Sequence, residues 1–529
     1  MTDLAGTFDN AVALAGVFGA GSALAGTFDN AVALYGSVGN RFANWYVDSV
    51  NGSDTAAGNS IDGAYKTISA LTSIAENDMI ALAKGSTWRE SLTLPVGADN
   101  VVIYAYGTGN APILDGSNVI SAVAWSKTGG RTNVYQATIT YEEKATSTCS
   151  MGIWEDDARL TWQTSLANCD SNQGSFYHAL DYTGTSGTIY IHATDSSDPG
   201  SSGMEYEYTA RLYQIDGATN DVDSTTIRGM HTRRNLGESG SIKLQKNATV
   251  TNCTCEDGNK HNIFIGGGSV LTSVYSLNAY FNGVGGSLFV YNQDDGNSEN
   301  VTFVSCSAVQ TDAAGMAAHV GFFGHWNTGP DNYSIVTMTD CTAVGMSKGI
   351  DATGHTDNYI ITDFIGTDCT TALHGNDAPS VSVSGYTVTH SETGILCNAG
   401  TSTITLDGGT ATIEDVGSGG AMISSTGAAS ITLTDSVLTI NNSVATSNNF
   451  ISCSDASVSI TATGNTYKAP NLASGPYVYF CANGVTLASN SNAFCDADQW
   501  FRIGANSYNN VAAYQTGEGQ DALSTVGGC

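Results

Sequence analysis

The chain has 529 residues, enough for several ordinary domains or for one continuous solenoid core, and its 61 glycines and 7 prolines describe many short strands joined by turns rather than helices. Its 18 Lys plus Arg against 49 Asp plus Glu leave a formal net charge of -31, which repels phosphate backbones and anionic membrane surfaces, so no nucleic acid is expected as a partner. No apolar run approaches the length of a spanning helix, so no membrane insertion is expected either.

Residues 1–43 form a repeat. LAGTFDNAVAL occurs identically at 4–14 and 24–34, LAGVFGAGSA fills 14–23, and LYGSVGNRFA closes at Ala43. The period of ten residues is neither a heptad nor a multiple of the helical turn, which argues against a coiled coil. So small an array cannot bury its own Leu and Phe side chains. It reads as an assembly segment sheltered by sister chains or a docking partner, with a flexible leader as the other reading. No Lys or Arg precedes Arg41, so the basic start of a signal peptide is missing, whereas a protein released by cell lysis needs none.

From residue 44 to about 235 the texture is mixed, with alternating stretches such as VVIYAY at 101–106 and TIYIHA at 188–193 that predict strands. Between 236 and 495 a coil repeat emerges. VTNCTC at 250–255, VTFVSC at 301–306 and VTMTDC at 336–341 align without gaps, which predicts that Cys255, Cys306 and Cys341 share one interior column, with Ser276 in the same frame and Cys369 ending a looser version. Later coils restart at Val381, Ile404, Ile431, Val458 and Val485, and a second ladder is formed by Cys397, Ser424, Cys453 and Cys481. Strands recurring at about 27 residues, with no helix between them, pair with the next coil and give parallel sheets around a narrow core. Most of the 12 cysteines are therefore expected to be reduced core thiols, with Cys149 and Cys169 as the pair to test for a bridge and Cys529 free or intermolecular.

WYVDSVNGSDTAAGNSIDGAYKTISAL at 45–71, IALAKGSTWRESL at 80–92 and VVIYAYGTGNAPILDGS at 101–117 resemble the opening coils of right-handed β-helix proteins of the pectate-lyase-like superfamily. YNNVAAYQTGEGQDALS at 508–524 resembles that family's closing segment, with Leu523 in place of the usual His, which makes 496–529 a C-terminal cap. The resemblance implies an all-β chain folded as a single-stranded right-handed parallel β-helix. Fold does not fix function here, because the superfamily includes lyases, glycosidases, adhesins and phage tailspikes. The repeated N-terminal segment ahead of the β-helix resembles the virion anchor of a phage tailspike or tail fibre. That likeness implies a homotrimer, docking to other phage tail proteins through residues 1–43, and recognition of host-surface glycan by an extracellular virion component. A polysaccharide depolymerase and a purely structural fibre are the alternatives.

Glycan cleavage needs either a base with a neutraliser for the substrate carboxylate, or two carboxyls about 5 to 9.5 Å apart. Lys260 and His261 are the candidate lyase bases. Asp294 and Asp295 are the candidate carboxyls, although QDDGNSEN also reads as a turn. The candidate substrate-binding residues are His231, Arg233, Arg234, His319, His325, Trp326, Asp351, His355 and His374. Arg233 and Arg234 can clamp a sugar acid bidentately or pair with Glu238, and Trp326 can stack on a sugar ring or be buried between subunits. His325, His355 and His374 fall late in successive coils and are expected to form a column. No metal signature of strict spacing is present and no cofactor is expected, with Ca2+ the cation that the acidity would accommodate.

Overall fold

The computed structural model describes Leu4–Ala5, Leu24–Ala25 and residues 43–526, apart from 144–150, 180–183, 238, 281–285, 292–299, 312–318, 325–334, 354–357, 377, 379, 390–392, 399–401, 414–420, 426–428, 441–448, 456, 470–476, 483–484, 496–499, 504 and 522. Three sheets of fourteen strands each wrap around one core, and the chain visits them in turn. Sheet A runs from Trp45–Val47 to Thr486–Asn490, sheet B from Thr87–Trp88 to Thr525–Val526, and sheet C from Leu92–Thr93 to Asn506–Tyr508. Nearly every pairing is parallel and joins one coil to the next, for example Val336 with Tyr359, Tyr359 with Val381, and Val381 with Ile404. The fold is a right-handed parallel β-helix. Fourteen rungs at about 4.8 Å give a rod of about 60 Å.

Its coils close because one residue in each bends the chain between sheets A and B. Gly229, Asn252, Ser273, Ser305, Asp340, Asp363, Gly385, Gly408, Asp435, Gly464 and Ser491 all have φ between +48° and +72°. Gly has no Cβ to clash in this left-handed region, and Asn, Asp and Ser offset the clash with short polar side chains. The next residue points inward: Cys253, Val274, Cys306, Cys341, Phe364 and Tyr386 are all buried. Each passes its carbonyl to the amide at the start of the following coil's sheet B strand, as in Cys306 to Thr342 and Cys341 to Ile365.

This corner corrects the expected register. Cys306 and Cys341 occupy neighbouring layers, but the coil before them contributes Val274 to the column and the one before that Cys253, while Cys255 pairs with Thr232 and Ser276 on sheet B. Cys369 sits at another corner, with its Sγ 3.7 Å from the Ala343 carbonyl. In the second ladder the partner of Cys397 is Ser425 rather than Ser424, and Ser425 leads on to Cys453 and Cys481. The later coils stack Ile431 on Ile460 and Ile460 on Leu487, not on Val458 and Val485. Cys169, Cys253, Cys255, Cys306, Cys341, Cys369, Cys453 and Cys481 are buried free thiols, so Cys169 is unbridged, whereas Cys495 is disulfide-bonded.

Among the described residues the solenoid is interrupted once. After Ile113–Asp115 the chain leaves sheet B, builds two mainly antiparallel sheets within 117–209, and rejoins sheet C at Ile215–Asp216. Ser117–Val119, Ile153–Glu155, Ala158–Arg159 and Tyr206–Thr209 form one sheet, and Tyr135–Thr140 against Ser186–His192 forms the centre of the other. Met151, Ile153, Phe176, Ile189, Ile191 and Tyr206 give this insert a core of its own. The far end of the rod is closed by a helix, Val511–Glu518, which Asn510 caps through its side chain and Gly519 ends at φ +65°. Tyr514 of that helix stacks on Phe501 with ring centroids 4.1 Å apart, which covers a core that would otherwise end in open strand edges. In the N-terminal repeat, Leu4 pairs with Leu24 and Ala5 with Ala25 in parallel, and its other residues up to 42 lie outside the described residues.

Candidate functional site

The charged residues concentrate where the insert meets sheet B. On this sheet Leu114, Thr232, Cys255 and Ser276 fill the interior, so their neighbours along each strand face outward. Two outward columns result. One stacks Ile113, His231, Thr254 and Tyr275, and the other Asp115, Arg233, Glu256 and Leu277. Consecutive members are about 4.8 Å apart through the backbone.

Arg233 Nε donates to Asp115 Oδ2 at 2.7 Å, and its Nη1 lies 3.5 Å from Asp157 Oδ1. Arg234 turns the next corner with φ +62°, a region that bulky side chains avoid. Its buried guanidinium reaches Glu207, donates to Asp157 Oδ1 at 2.6 Å, and lies 4.7 Å over the ring of Trp154. Arg89 reaches Glu207 from the other side. Glu207, Asp157 and Trp154 all belong to the insert, so these contacts dock it onto the β-helix. The expected partner Glu238 lies outside the described residues.

His231 Nε2 lies 2.9 Å from Glu256 Oε1. Burial pushes the Glu256 carboxyl up, but the adjacent His231 and Arg233 outweigh it and hold the group below the usual carboxylate range. The next residue behaves oppositely: burial, reinforced by the Glu256 charge, raises Asp257. Asp115 resembles Glu256, because Arg233 and Ser117 overcome a burial effect that acts upward. Neighbouring carboxyls driven in opposite directions are the arrangement from which acid and base roles arise. Two rungs from His231, Tyr275 is 39% exposed and offers an aromatic surface on the same face.

Lys260 and His261 do not join this group. Lys260 turns a corner at φ +63°, and the buried His261 accepts the Ser287 amide at Nδ1, 3.1 Å away, which occupies the lone pair a base would use at that atom. Asp351 and His374 meet on adjacent rungs of sheet C, with Nδ1 to Oδ1 at 2.6 Å, and Lys348 Nζ donates to Asp351 Oδ2 at 2.7 Å. His319 is buried ahead of Val320–Gly324. Asp294, Asp295, His325, Trp326 and His355 lie outside the described residues, and with them most of the expected histidine column. Among the described residues no group of three or more His, Cys, Asp or Glu is placed to hold a metal ion, and no helix is long and apolar enough to cross a membrane.

Sequence reasoning missed Asp115, Asp157, Glu207, Glu256, Asp257 and Tyr275. Glu256 carried a signal, since a charge two residues past Thr254 in TCEDG must face outward if Cys255 faces in. Asp115 and Glu207 carried none, because their partners lie more than a hundred residues away or across the insert.

No family model matches the chain, and no curated protein does. Among solved structures it is similar to XylC in complex with xylose, at 10% identity over 88% of this chain and 73% of that chain with a TM-score of 0.34. It is also similar to the GH136 lacto-N-biosidase from Eubacterium ramulus, at 12% identity over 84% and 67% with a TM-score of 0.25. A third is the Gp54 tailspike of the Acinetobacter baumannii bacteriophage AP22 in complex with capsular saccharide, at 9% identity over 79% and 72% with a TM-score of 0.25. Likenesses this distant carry no argument about activity or partner.

Proposed function

We propose that the chain is a phage tail protein, homotrimeric and anchored to other virion proteins through residues 1–43, whose β-helix meets host-surface polysaccharide on the outward face of sheet B. The observation that carries the reading is the gathering of His231, Arg233, Glu256 and the exposed Tyr275 on consecutive rungs beside the insert. An aromatic surface flanked by hydrogen-bonding and charged groups is what a sugar ring with polar substituents requires. A rod of parallel coils supplies it on a rigid scaffold. Ca2+ is the cation that the chain's net charge of -31 would accommodate.

A depolymerase on the same face is the second reading, favoured by the opposed behaviour of Glu256 and Asp257. In it Asp257, whose carboxyl is raised, is the candidate acid for the leaving oxygen, and Glu256, whose carboxyl is lowered, the candidate base that activates the attacking water. The test is incubation of the full chain with host capsule and marine polysaccharides. Retention of intact polymer supports the recognition role, new reducing ends without unsaturation support hydrolysis, and new ultraviolet-absorbing unsaturated ends indicate a lyase. Retention or cleavage that persists undiminished in both Glu256→Gln and Tyr275→Ala refutes the placement on sheet B. The virion role fails if particles purified from the same host lack the chain.

A further inference from the structure

A cleft of 260 Å3 opens near the C-terminal end of the rod, far along the chain from the sheet B face. Its floor is the outward surface of the last two rungs of sheet A, with Thr461 and Thr463 on one and Asn490 on the next, and its wall is the loop Gly519, Gln520 and Asp521 that leaves the capping helix. Gly519 stands at φ +65° with open space where a Cβ would be, so the loop leaves the cleft unobstructed there.

The chemistry of this cleft is unlike that of the charged junction. Asp521 is its acidic side chain, and that carboxylate is already engaged by Ser489, by Asn492 Nδ2 at 2.6 Å and by Ser524 Oγ at 2.6 Å. Gln520 Oε1 accepts the Ser489 amide at 2.8 Å, which fixes the wall to the floor. The exposed hydroxyls of Thr461 and Thr463 remain as the groups a ligand would meet.

These hydroxyls continue a strip. Ile404, Leu406, Ile431, Leu433, Ile460 and Ala462 face the core, so the alternate residues face solvent. Thr405 stacks on Thr432 and Thr432 on Thr461, while Asp407 stacks on Thr434 and Thr434 on Thr463. Among these outward side chains only Asp407 is charged, and Thr434 Oγ1 donates to it at 2.6 Å. A chain of net charge -31 thus presents a nearly neutral hydroxyl track that ends in a bounded polar cleft. A volume just below that of ordinary small-molecule sites suits one sugar ring.

We propose that this cleft binds the terminal residue of a neutral glycan, whose preceding sugars lie along the threonine track of sheet A. The ligand class rests on the glycan-binding reading above; the location does not. Recognition proceeds through hydroxyl-to-hydroxyl hydrogen bonds without charge pairing, so single sugars bind weakly and longer oligomers gain by repeated contacts along the track.

Saturation-transfer NMR of the full chain with maltotriose, cellotriose and mannotriose, beside trigalacturonate as an acidic control, tests it. Thr461→Val combined with Thr463→Val removes both hydroxyls and keeps the β-branched shape, and its melting curve checks that the rod is intact. At least one neutral trisaccharide should show transfer, its affinity about tenfold weaker in the double variant; host-capsule retention in Glu256→Gln is scored separately and reports on the sheet B face alone. That pattern supports the cleft whatever becomes of the sheet B face. Absence of transfer to every neutral trisaccharide, or equal binding by the double variant and the wild type, overturns it.

Discussion

Replacement of Arg234 separates two opposing contributions at one residue. Its guanidinium is 2% exposed and satisfies Glu207, itself 3% exposed, while its backbone sits at φ +62°. Removing one partner of a buried pair costs about 3–5 kcal/mol, because the other charge stays buried. Glu207 keeps Arg89 and a hydrogen bond from Ser117 Oγ at 3.3 Å, which places Arg234→Ala at the lower end, about 3 kcal/mol. Arg234→Gly loses the same ion pair but relieves a left-handed conformation that costs other residues about 1–2 kcal/mol, so it should be the more stable of the two by about 1 kcal/mol. Urea unfolding of both variants, followed by tryptophan fluorescence, measures the difference. Trp154 lies under the guanidinium and reports undocking of the insert, while far-ultraviolet circular dichroism follows the β-helix. The fluorescence transition should move to lower urea well before the dichroism does. Wild-type stability in Arg234→Ala, or a glycine variant weaker than the alanine one, would refute the reasoning.

Burial holds His178 of the insert down at about 4, so its folded state favours the neutral ring. The stability this confers is full above the unfolded value of 6.5 and is lost as pH falls toward 4, by about 3 kcal/mol in all, so between pH 7 and pH 4 the denaturation midpoint of wild type should fall relative to that of His178→Phe, and a constant difference would refute it. Burial also raises the thiols of Cys253 and Cys369 to about 11 and that of Cys255 to about 12, so iodoacetamide at pH 8 should label none of them until urea is added, as peptide mass spectrometry would show. Gly385 and Gly408 occupy the same corner at φ +66° and +62°, but an added Cβ meets Asp363 Oδ1 at 2.1 Å in the first case and open space in the second. Gly408→Ala should therefore cost about 1–2 kcal/mol and Gly385→Ala clearly more, and thermal melts giving equal losses would show that the corner yields more readily than its packing implies.

The coil repeat was legible in the sequence because each layer spends an Asn, Asp, Ser or Gly on the same corner and buries the residue after it. The register was not, and the reason is the period of the strand. A shift by two residues leaves every side chain on the same face, so the hydrophobic alternation of VTNCTC aligns equally well with VTFVSC in either of two ways. The corner breaks that degeneracy. Asn252 before Cys253 corresponds to Ser305 before Cys306 and Asp340 before Cys341, and all three turn residues have positive φ. The left-handed signal was present in TNC, VSC and TDC, where the cysteine pattern alone pointed to Cys255.

The site was less legible for a different reason. His231 and Arg233 were visible as a charged pair of columns only once Ile113 was found opposite His231 and Asp115 opposite Arg233, pairings that span the whole insert. The insert is also why charge collects there. A regular coil can satisfy its backbone with neutral Thr and Ser, as sheet A does from Thr403 to Thr463, and no Lys or Arg occurs between Gly349 and Tyr467. Docking an independent antiparallel unit against the solenoid needs directional contacts between two surfaces that the coil repeat does not specify. Arg89, Arg233 and Arg234 supply them against Asp115, Asp157 and Glu207. The partly exposed rungs beside that junction, where His231 and Glu256 meet, set the lowered carboxyl of Glu256 beside the raised one of Asp257 on a rigid scaffold, and no neutral stretch among the described residues offers both.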